Sequence, residues 1–409
     1  MTSTQEGTES KSADSRGWLR NMHRVVRALL SNGIFSAVSL ALSVMVARSG
    51  GTGELGMFGV AFAAYLLVQL VVRDAGANTI ISVSPSYRKR RTTARRISFM
   101  AIVFAIPISL CGVFAGSPYL VIVGLAIHGI CFYDYSKTLS LSLDDGQTAI
   151  MQDCILLLVT GCAVVMTWFD LISPFILVAI WASAGSALGY LVSYIQGYKL
   201  LPSWKGEAVE LRTSLIFGCQ ALIGSGSVHI LTFLLSLVGG PVLVGAMRGA
   251  STMLGPSNLI VSTVQPLLIS YLARSTPDPA TVSRAAVRKS ALALVCVHLV
   301  LTSGLVLISH FFGELLLGST WQDSSSLIYI VALDSVFVAV AAAPLAAHRS
   351  VWAAKRVAAI SNVIVVIRIP LVLVCALWWH AIGAVAAFLC VTIIASLLWW
   401  MSLIQLTRK

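Results

Sequence analysis

The chain has 409 residues, of which 57% are hydrophobic and 11% charged, and its mean hydropathy is +0.89. Soluble proteins average about 25% charged residues, so this composition excludes an ordinary cytosolic enzyme, a nucleic-acid-binding protein and a disordered chain. The formal net charge of +12 is explained in a membrane protein by the enrichment of Lys and Arg in cytoplasmic loops.

The segment 1–20 is polar and rich in Ser and Thr, and we expect a disordered cytoplasmic tail there. Twelve apolar runs follow, each about as long as the roughly 20 residues that a helix needs to cross a bilayer. Their predicted bounds are 25–47, 55–82, 97–116, 119–141, 148–169, 171–195, 213–237, 242–272, 290–311, 325–347, 358–378 and 381–404. The runs lack the alternation of a β-barrel, and lipid offers no hydrogen bonds to the backbone. The sequence therefore predicts an all-α polytopic membrane protein of about twelve helices.

The basic residues predict the orientation of these helices. With the N-terminus placed in the cytoplasm, all but four of the 28 Lys and Arg residues fall in the tail, in cytoplasmic segments or at cytoplasmic helix ends. The exceptions are Arg48, Arg73, Arg248 and Arg368. This distribution follows the positive-inside rule, so we expect a multi-pass protein of the inner or plasma membrane with both termini cytoplasmic.

A repeat at about half the chain length indicates two halves. Gly50-Gly51 recurs as Gly239-Gly240, and the same offset along the chain aligns Gly56 with Gly245. Six helices per half would make the halves parallel repeats related by an axis along the membrane normal, although chance similarity between apolar segments is an alternative. The predicted organisation is an N-terminal lobe over 21–200, a cytoplasmic linker over 201–212 and a C-terminal lobe over 213–409.

Several short segments of the two halves carry a resemblance to a known family. They are Val46-Ala47-Arg48, Gly56-Met57-Phe58-Gly59, Asp74-Ala75-Gly76, Gly245-Ala246-Met247-Arg248, Pro256, Gln265-Pro266, Tyr271-Leu272-Ala273-Arg274, Leu316-Leu317-Gly318 and Trp321. With the number and order of helices, they make the chain resemble the flippases of the multidrug/oligosaccharidyl-lipid/polysaccharide exporter superfamily. The resemblance is greatest to the polysaccharide-biosynthesis branch, which flips lipid-linked oligosaccharides.

The resemblance implies a V-shaped transporter whose two six-helix lobes, related by pseudo-two-fold symmetry, enclose a central cavity. It also implies alternating access for a polyprenyl-diphosphate-linked glycan within the membrane lipids. Na⁺ or H⁺ are the candidate coupling ions, and a polysaccharide polymerase is a candidate partner.

Motifs of enzymes and metal sites are missing from the sequence. There is no P-loop, no HExxH and no GxSxG segment, and these are the patterns that carry phosphate binding, zinc binding and nucleophilic catalysis. The eight cysteines lie singly within apolar runs without a CxxC pair. We therefore expect no cofactor, no metal and no enzymatic activity. The energy for transport would come from an ion gradient, from the membrane potential or from consumption of the transported product.

Ionisable residues inside apolar runs are the first candidates for function, because a charge in the membrane interior is costly. Arg73 is interpreted as a cavity arginine that meets a diphosphate, with Asp74 as its partner at rest. The alternative is a local ion pair or a side chain that extends to the interface. Arg248, in the segment GAMRGAS, is a second candidate for binding the diphosphate, and anchoring at the outer interface is its alternative.

Arg368 and Asp334 lie in two neighbouring predicted helices of the second half. They are interpreted either as a structural ion pair or as a cation or proton site that couples transport. Asp74, another carboxylate within an apolar run, is a further candidate for coupling or gating. Asn32 and Gln220 stand at nearly equivalent places in the two halves. Both are candidates for hydrogen bonds to a glycan in the cavity, although amide bonds between helices are as good an explanation.

Two other functions stay open at this point. An ion-coupled exporter of drugs or metabolites would use the same scaffold and would favour carboxylates in the cavity. An integral-membrane glycosyltransferase or acyltransferase would need a sizeable outer domain to hold its catalytic carboxylates. The outer loops predicted here are short, and the longest covers only 312–324.

Overall fold

In the computed structural model, residues 6–83, 86–143, 146–276 and 281–407 are described, together with their side chains except those of residues 6–25, 83, 262 and 266. All regular elements in these ranges are helical. The helices are α1 Glu6–Arg73, α2 Thr79–Val83, α3 Tyr87–Phe114, α4 Pro118–Leu143, α5 Gln147–Trp168, α6 Pro174–Ile195, α7 Ala208–Ile223, α8 Gly226–Met253, α9 Gly255–Ala273, α10 Arg284–Leu317, α11 Thr320–Ser325, α12 Ile328–Ser350 and α13 Ala354–Leu406. A π-helical turn, Asp74–Asn78, joins α1 to α2.

Three of the long helices consist of two arms. The backbone leaves the helical conformation at Gly51 in α1, at Gly240 in α8 and at Trp379 and His380 in α13. Nine helices of the described residues are long and apolar enough to cross a membrane, and two of these, the ones containing α1 and α13, are long enough to cross it twice.

The seventh and eighth passes are interrupted. The seventh consists of α7 and the first arm of α8, and the eighth consists of the second arm of α8 and α9. With the arms counted separately, the described chain makes twelve passes in the predicted order. The all-α fold of two six-helix lobes is thereby confirmed. The bounds 21–200, 201–212 and 213–409 for the lobes and the linker stay a prediction, and we refer to α1 to α6 as the N-terminal lobe and to α7 to α13 as the C-terminal lobe.

Pseudo-two-fold symmetry is visible where the lobes meet. Gly51 has φ 77° and ψ −177°, and its counterpart Gly240 has φ 72° and ψ 177°, a conformation that side-chain-bearing residues rarely adopt. A Cβ atom placed on Gly56 would lie 1.7 Å from the carbonyl oxygen of Pro241, and one on Gly245 would lie 1.9 Å from that of Thr52. Thr52 and Pro241 are related by the same offset as the glycines, so the contact is reciprocal.

The N-terminal segment differs from the expected disordered tail. The first helix begins at Glu6 and continues without a break into the first pass. Because the pass already supplies a helical nucleus, each added residue gains a backbone hydrogen bond without a new nucleation step. Residues 1–5 of the expected tail lie outside the described residues.

The segment between the lobes, expected as a cytoplasmic linker, is attached to α3. The backbone N–H of Ser203 donates to the carbonyl of Arg95 at 3.0 Å, and the hydroxyl of Ser98 donates to the carbonyl of Leu200 at 2.5 Å. The ring of Trp204 lies 5.7 Å from that of Phe99. This attachment is at the basic end of the bundle, which we define by residues 87–96.

The opposite end is defined by the turns at Gly51 and Gly240 and is called the glycine-turn end. The short helix α11, within the predicted outer loop 312–324, lies here and contacts the N-terminal lobe. The hydroxyl of Thr52 donates to Asp323 Oδ2 at 2.5 Å, and that of Thr320 donates to the carbonyl of Ala47 at 3.0 Å. The two lobes are therefore joined at the glycine-turn end.

Candidate substrate cavity between the lobes

A cavity of about 310 Å³ lies between the second arm of α1 and the C-terminal helices. We call it the central cavity. Its wall is mostly apolar, and the ionisable groups on it are Arg248, His229 and Asp334. It is lined by Gly59, Ala63, Leu66, Val228, His229, Thr232, Leu235, Val244, Met247, Arg248, Ser251, Val331, Asp334, Val385 and Phe388.

A second cavity, of about 510 Å³, opens between the first arm of α1 and the helices α8 and α9. We call it the serine chamber. It is lined by Gly33, Phe35, Ser36, Ala37, Ser39, Leu40, Ser43, Phe62, Leu66, Arg248, Ser251, Thr252, Gly255, Pro256 and Leu259. Arg248, Ser251 and Leu66 line both cavities, so the guanidinium stands at the boundary between them.

Arg248 is held by neutral groups. Its Nη2 donates to the hydroxyl of Ser43 at 3.0 Å, and its guanidinium carbon lies 4.8 Å and 4.5 Å from the ring centroids of Phe58 and Phe62. Its buried Nε has no hydrogen-bond partner, and no carboxylate of the described residues forms a salt bridge with it. Cation–π contact stabilises the charge in part, but the donors on the guanidinium that are not used by Ser43 are available to an anion.

The other cavity residues include the predicted pair of the second lobe. Asp334 lies on α12 and interacts electrostatically with Arg368 on α13, yet the two form no direct salt bridge among the described residues. Asp334 Oδ1 and Arg368 Nε are both buried without a hydrogen-bond partner. Asp334 lines the central cavity, whereas Arg368 does not.

The expected pairing of Arg73 with Asp74 is wrong. Arg73 Nε donates to Asp134 Oδ2 at 2.8 Å and its Nη2 contacts Asp134 Oδ1, while Asp74 accepts a hydrogen bond of 2.6 Å from Asn78. Adjacent residues on a helix do not face each other, and Asp74 begins a π-helical turn. Arg73 lines neither cavity, so its role in binding the diphosphate stays a prediction.

Asn32 and Gln220 are exposed and line neither cavity. Asn32 precedes Ser36 by one helical turn on α1 and therefore lies on the face that borders the serine chamber. Gln220 lies on α7 close to the break at Gly224. Their role in holding a glycan stays a prediction.

Sequence reasoning missed a buried polar cluster in the N-terminal lobe. Lys137 Nζ lies 3.0 Å from Asp153 Oδ1 and 2.9 Å from Oδ2, and the hydroxyl of Ser31 donates to Oδ2 at 2.5 Å. Tyr133 also donates to this carboxylate. The positive-inside count places Lys137 with the cytoplasmic basic residues, whereas its position inside the predicted pass 119–141 is the sequence signal that it is buried.

Solved structures show the same fold at low sequence identity. A multidrug resistance MATE family transporter of the MOP superfamily in an inward-facing conformation is 12% identical, has a TM-score of 0.70, and is matched over 91% of this chain and 95% of its own. The lipid II flippase MurJ in an inward closed conformation is 12% identical, with a TM-score of 0.69 over 94% and 90% of the two chains.

A third structure, a MOP superfamily transporter from Pyrococcus furiosus whose binding pocket is described as having reverse polarity, is 10% identical. Its TM-score is 0.55 over 95% of this chain and 96% of its own. The chain has the two-lobe fold of these transporters. No protein-family model and no curated protein matches the sequence.

Proposed function

We propose that the protein is a flippase that moves a polyprenyl-diphosphate-linked oligosaccharide from the cytoplasmic to the outer leaflet for cell-surface polysaccharide synthesis. The observation that carries the proposal is Arg248, a guanidinium without a carboxylate partner among the described residues, at the boundary of two cavities between the lobes. A cation in such a site attracts anions strongly because the surrounding dielectric constant is low. The guanidinium fork also matches phosphate oxygens.

The proposed transport cycle uses the two lobes as rocking bodies. Contacts join the lobes at the glycine-turn end, and in the proposed cycle the substrate enters from the basic end after the ion pairs of Lys89 and Arg96 with Glu210 have separated. The polyprenyl chain stays in the lipid while the glycan crosses between the lobes, and Na⁺, H⁺ or consumption of the product drives the cycle. In this proposal the protein lies in the plasma membrane with both termini cytoplasmic and supplies a polysaccharide polymerase outside.

The proposal predicts that Arg248→Gln abolishes most glycan export. Loss of hydrogen bonds to a charged group corresponds to about a 10- to 150-fold loss of affinity, so undecaprenyl-linked sugar should accumulate in the cytoplasmic leaflet. The measurement is mass spectrometry of the lipid-linked sugars together with surface glycan. Arg212→Gln, at an exposed position on α7, is the matched control, and both proteins are quantified in the membrane. Normal export by Arg248→Gln would refute the proposal.

A second candidate function is supported by Asp334, which places a carboxylate on the central cavity. An ion-coupled exporter of cationic drugs or metabolites would use this group to bind its substrate or a coupling ion. In that case Asp334→Asn should abolish efflux of a lipophilic cation such as ethidium, and Arg248→Gln should leave the efflux intact. These two results together would show that the protein is an exporter and would rule out the proposed flippase function.

A further inference from the structure

The serine chamber has a polar stripe along one wall. Ser36, Ser39 and Ser43 follow each other on α1 at intervals of three and then four positions, which places them on one helix face. All three line the chamber. The hydroxyl of Ser43 already has protein partners, since it donates a hydrogen bond to the carbonyl of Ser39 and accepts one from Arg248. The hydroxyls of Ser36 and Ser39 make no hydrogen bond within the described chain and are half-buried.

The opposite wall contains a further hydroxyl without a partner on the protein. Thr252 lines the chamber from α8 with only 8% of its surface exposed, and its hydroxyl has no hydrogen-bond partner among the residues described. A hydroxyl that faces a cavity without a partner on the protein takes its hydrogen bonds from a ligand or from water. Hydroxyls that both donate and accept are therefore presented from two sides of the same space.

Charge is confined to one end of the chamber. Among the described side chains that line the chamber, Arg248 is the only one that carries a charge at neutral pH, and the remainder are hydroxyl, aromatic, aliphatic or glycine. Lys137 lies 5.1 Å from the ring centroid of the lining residue Phe35 but is paired with Asp153. A second anionic group on the ligand would therefore find no further free cation among the described residues there, which is unfavourable for a desolvated charge. The volume of about 510 Å³ falls within the range of about 300–1,000 Å³ for ligand pockets.

We propose that the serine chamber binds the first sugar of the lipid-linked glycan and selects an uncharged, hydroxyl-bearing sugar, while Arg248 holds the adjoining diphosphate. This inference rests on the flippase function proposed above and specifies its substrate class. Sugar hydroxyls pair with Ser36, Ser39 and Thr252, which can each donate and accept. The sugar ring is enclosed by Phe35 and by the aliphatic side chains of the wall.

The test is equilibrium binding to the full-length protein in lipid nanodiscs with three probes. They are farnesyl diphosphate, farnesyl diphosphate carrying N-acetylglucosamine, and farnesyl diphosphate carrying glucuronic acid. We expect the N-acetylglucosamine probe to bind about tenfold more tightly than either of the others, since two or more additional hydrogen bonds are formed. Equal or tighter binding of the glucuronic acid probe would overturn the selection of an uncharged sugar.

Variants separate the chamber from the diphosphate site. Ser36→Ala together with Ser39→Ala should weaken binding of the N-acetylglucosamine probe about tenfold and change that of farnesyl diphosphate less than twofold. The corresponding pair of Thr substitutions, which keeps the hydroxyls, should restore tight binding. Ser183→Ala, at an exposed serine of α6 outside both cavities, is the matched control. Arg248→Gln should weaken binding of all three probes.

The results distinguish the two proposals. If the alanine pair binds the N-acetylglucosamine probe as wild type does while Arg248→Gln weakens all probes, the chamber is not the sugar site and the flippase proposal stands. If wild-type protein binds none of the three probes, the flippase proposal fails, and the inference about the chamber fails with it.

Discussion

Two arginines within the membrane-spanning helices differ in what surrounds them. Arg73 is bound by both oxygens of Asp134, whose side chain is 4% exposed, and Gln69 donates to the same carboxylate at 2.8 Å. Arg248 has hydroxyl and aromatic neighbours and no bound carboxylate among the described residues. The first is neutralised by an ion pair, and the second has no carboxylate partner among the described residues.

This difference predicts that stability falls on substitution of Arg73 and changes little on substitution of Arg248. Arg73→Ala leaves Asp134 as a buried charge without its cation. Removing one partner of a fully buried pair costs about 3–5 kcal/mol, and because the Arg73 side chain is 36% exposed, solvent screening makes the expected cost smaller than this. We expect a clear fall in the unfolding temperature of the purified protein, measured by thermal denaturation in detergent. Arg73→Gln combined with Asp134→Asn should recover most of the loss. Arg248→Gln should change the unfolding temperature little; a fall as large as that of Arg73→Ala would show that Arg248 is structural.

The sequence indicated which residues are chemically unusual but not which residues they contact. Arg73, Arg248, Asp334 and Arg368 were found because each interrupts an apolar run. The partner of Arg73 could not be found in this way, because Asp134 reaches it from α4, a different helix. Contacts of this kind depend on how helices rotate and cross, which a single sequence does not specify.

At the scale of helices, glycine determines where the two lobes approach each other. Gly56 of α1 and Gly245 of α8 each lie against a backbone carbonyl of the other helix, and small residues allow such close contact between membrane helices. The constant offset between the two halves, found in the sequence, predicted the correspondence of these glycines. The offset did not predict that each glycine packs against the opposite lobe.

Gly56→Ala should therefore be destabilising. Its Cβ would lie 1.7 Å from the Pro241 carbonyl oxygen, so the two helices must move apart, and overpacking of this kind costs about 1–3 kcal/mol. Gly53→Ala is the matched control, because nothing lies within 4 Å of its Cβ position and alanine favours the helix by up to about 1 kcal/mol. The measurement is the unfolding temperature of both variants; equal values would mean that the contact tolerates a side chain.

The helix boundaries show where hydropathy is a sufficient guide. The predicted pass 119–141 agrees with α4, Pro118–Leu143, to within two residues at each end. The agreement is close because this helix ends where the apolar residues end and turn residues begin. The break between α7 and α8 at Gly224 and the short helix α11 were not predicted. The run Gly224-Ser225-Gly226-Ser227 is a turn signal inside the predicted pass 213–237, whereas α11 depends on packing, since its polar segment TWQDSS is held against α1.

At the scale of the whole molecule, contacts between the lobes occur at both ends. At the glycine-turn end, α11 contacts α1, and Arg48 donates to the carbonyl of Leu315. At the basic end, Glu210 of α7 is bound by Lys89 at 2.9 Å and by Arg96 at 3.4 Å, both on α3. Arg96 and Glu210 are buried. Alternating access requires at least the contacts at the glycine-turn end to break when the substrate leaves.

Cross-linking that end should therefore stop transport. Thr52 and Asp323 are joined by a hydrogen bond of 2.5 Å across the lobes, so Thr52→Cys with Asp323→Cys should react with a short thiol cross-linker when the accessible native cysteines are replaced. We expect glycan export to be lost after cross-linking with a cleavable reagent and recovered when the link is reduced, because rocking of the lobes separates these two residues. Each single cysteine variant, treated in the same way, controls for modification alone. Continued export by fully cross-linked protein would show that the substrate crosses without separation of the lobes at the glycine-turn end, and rocking would have to be abandoned as the mechanism.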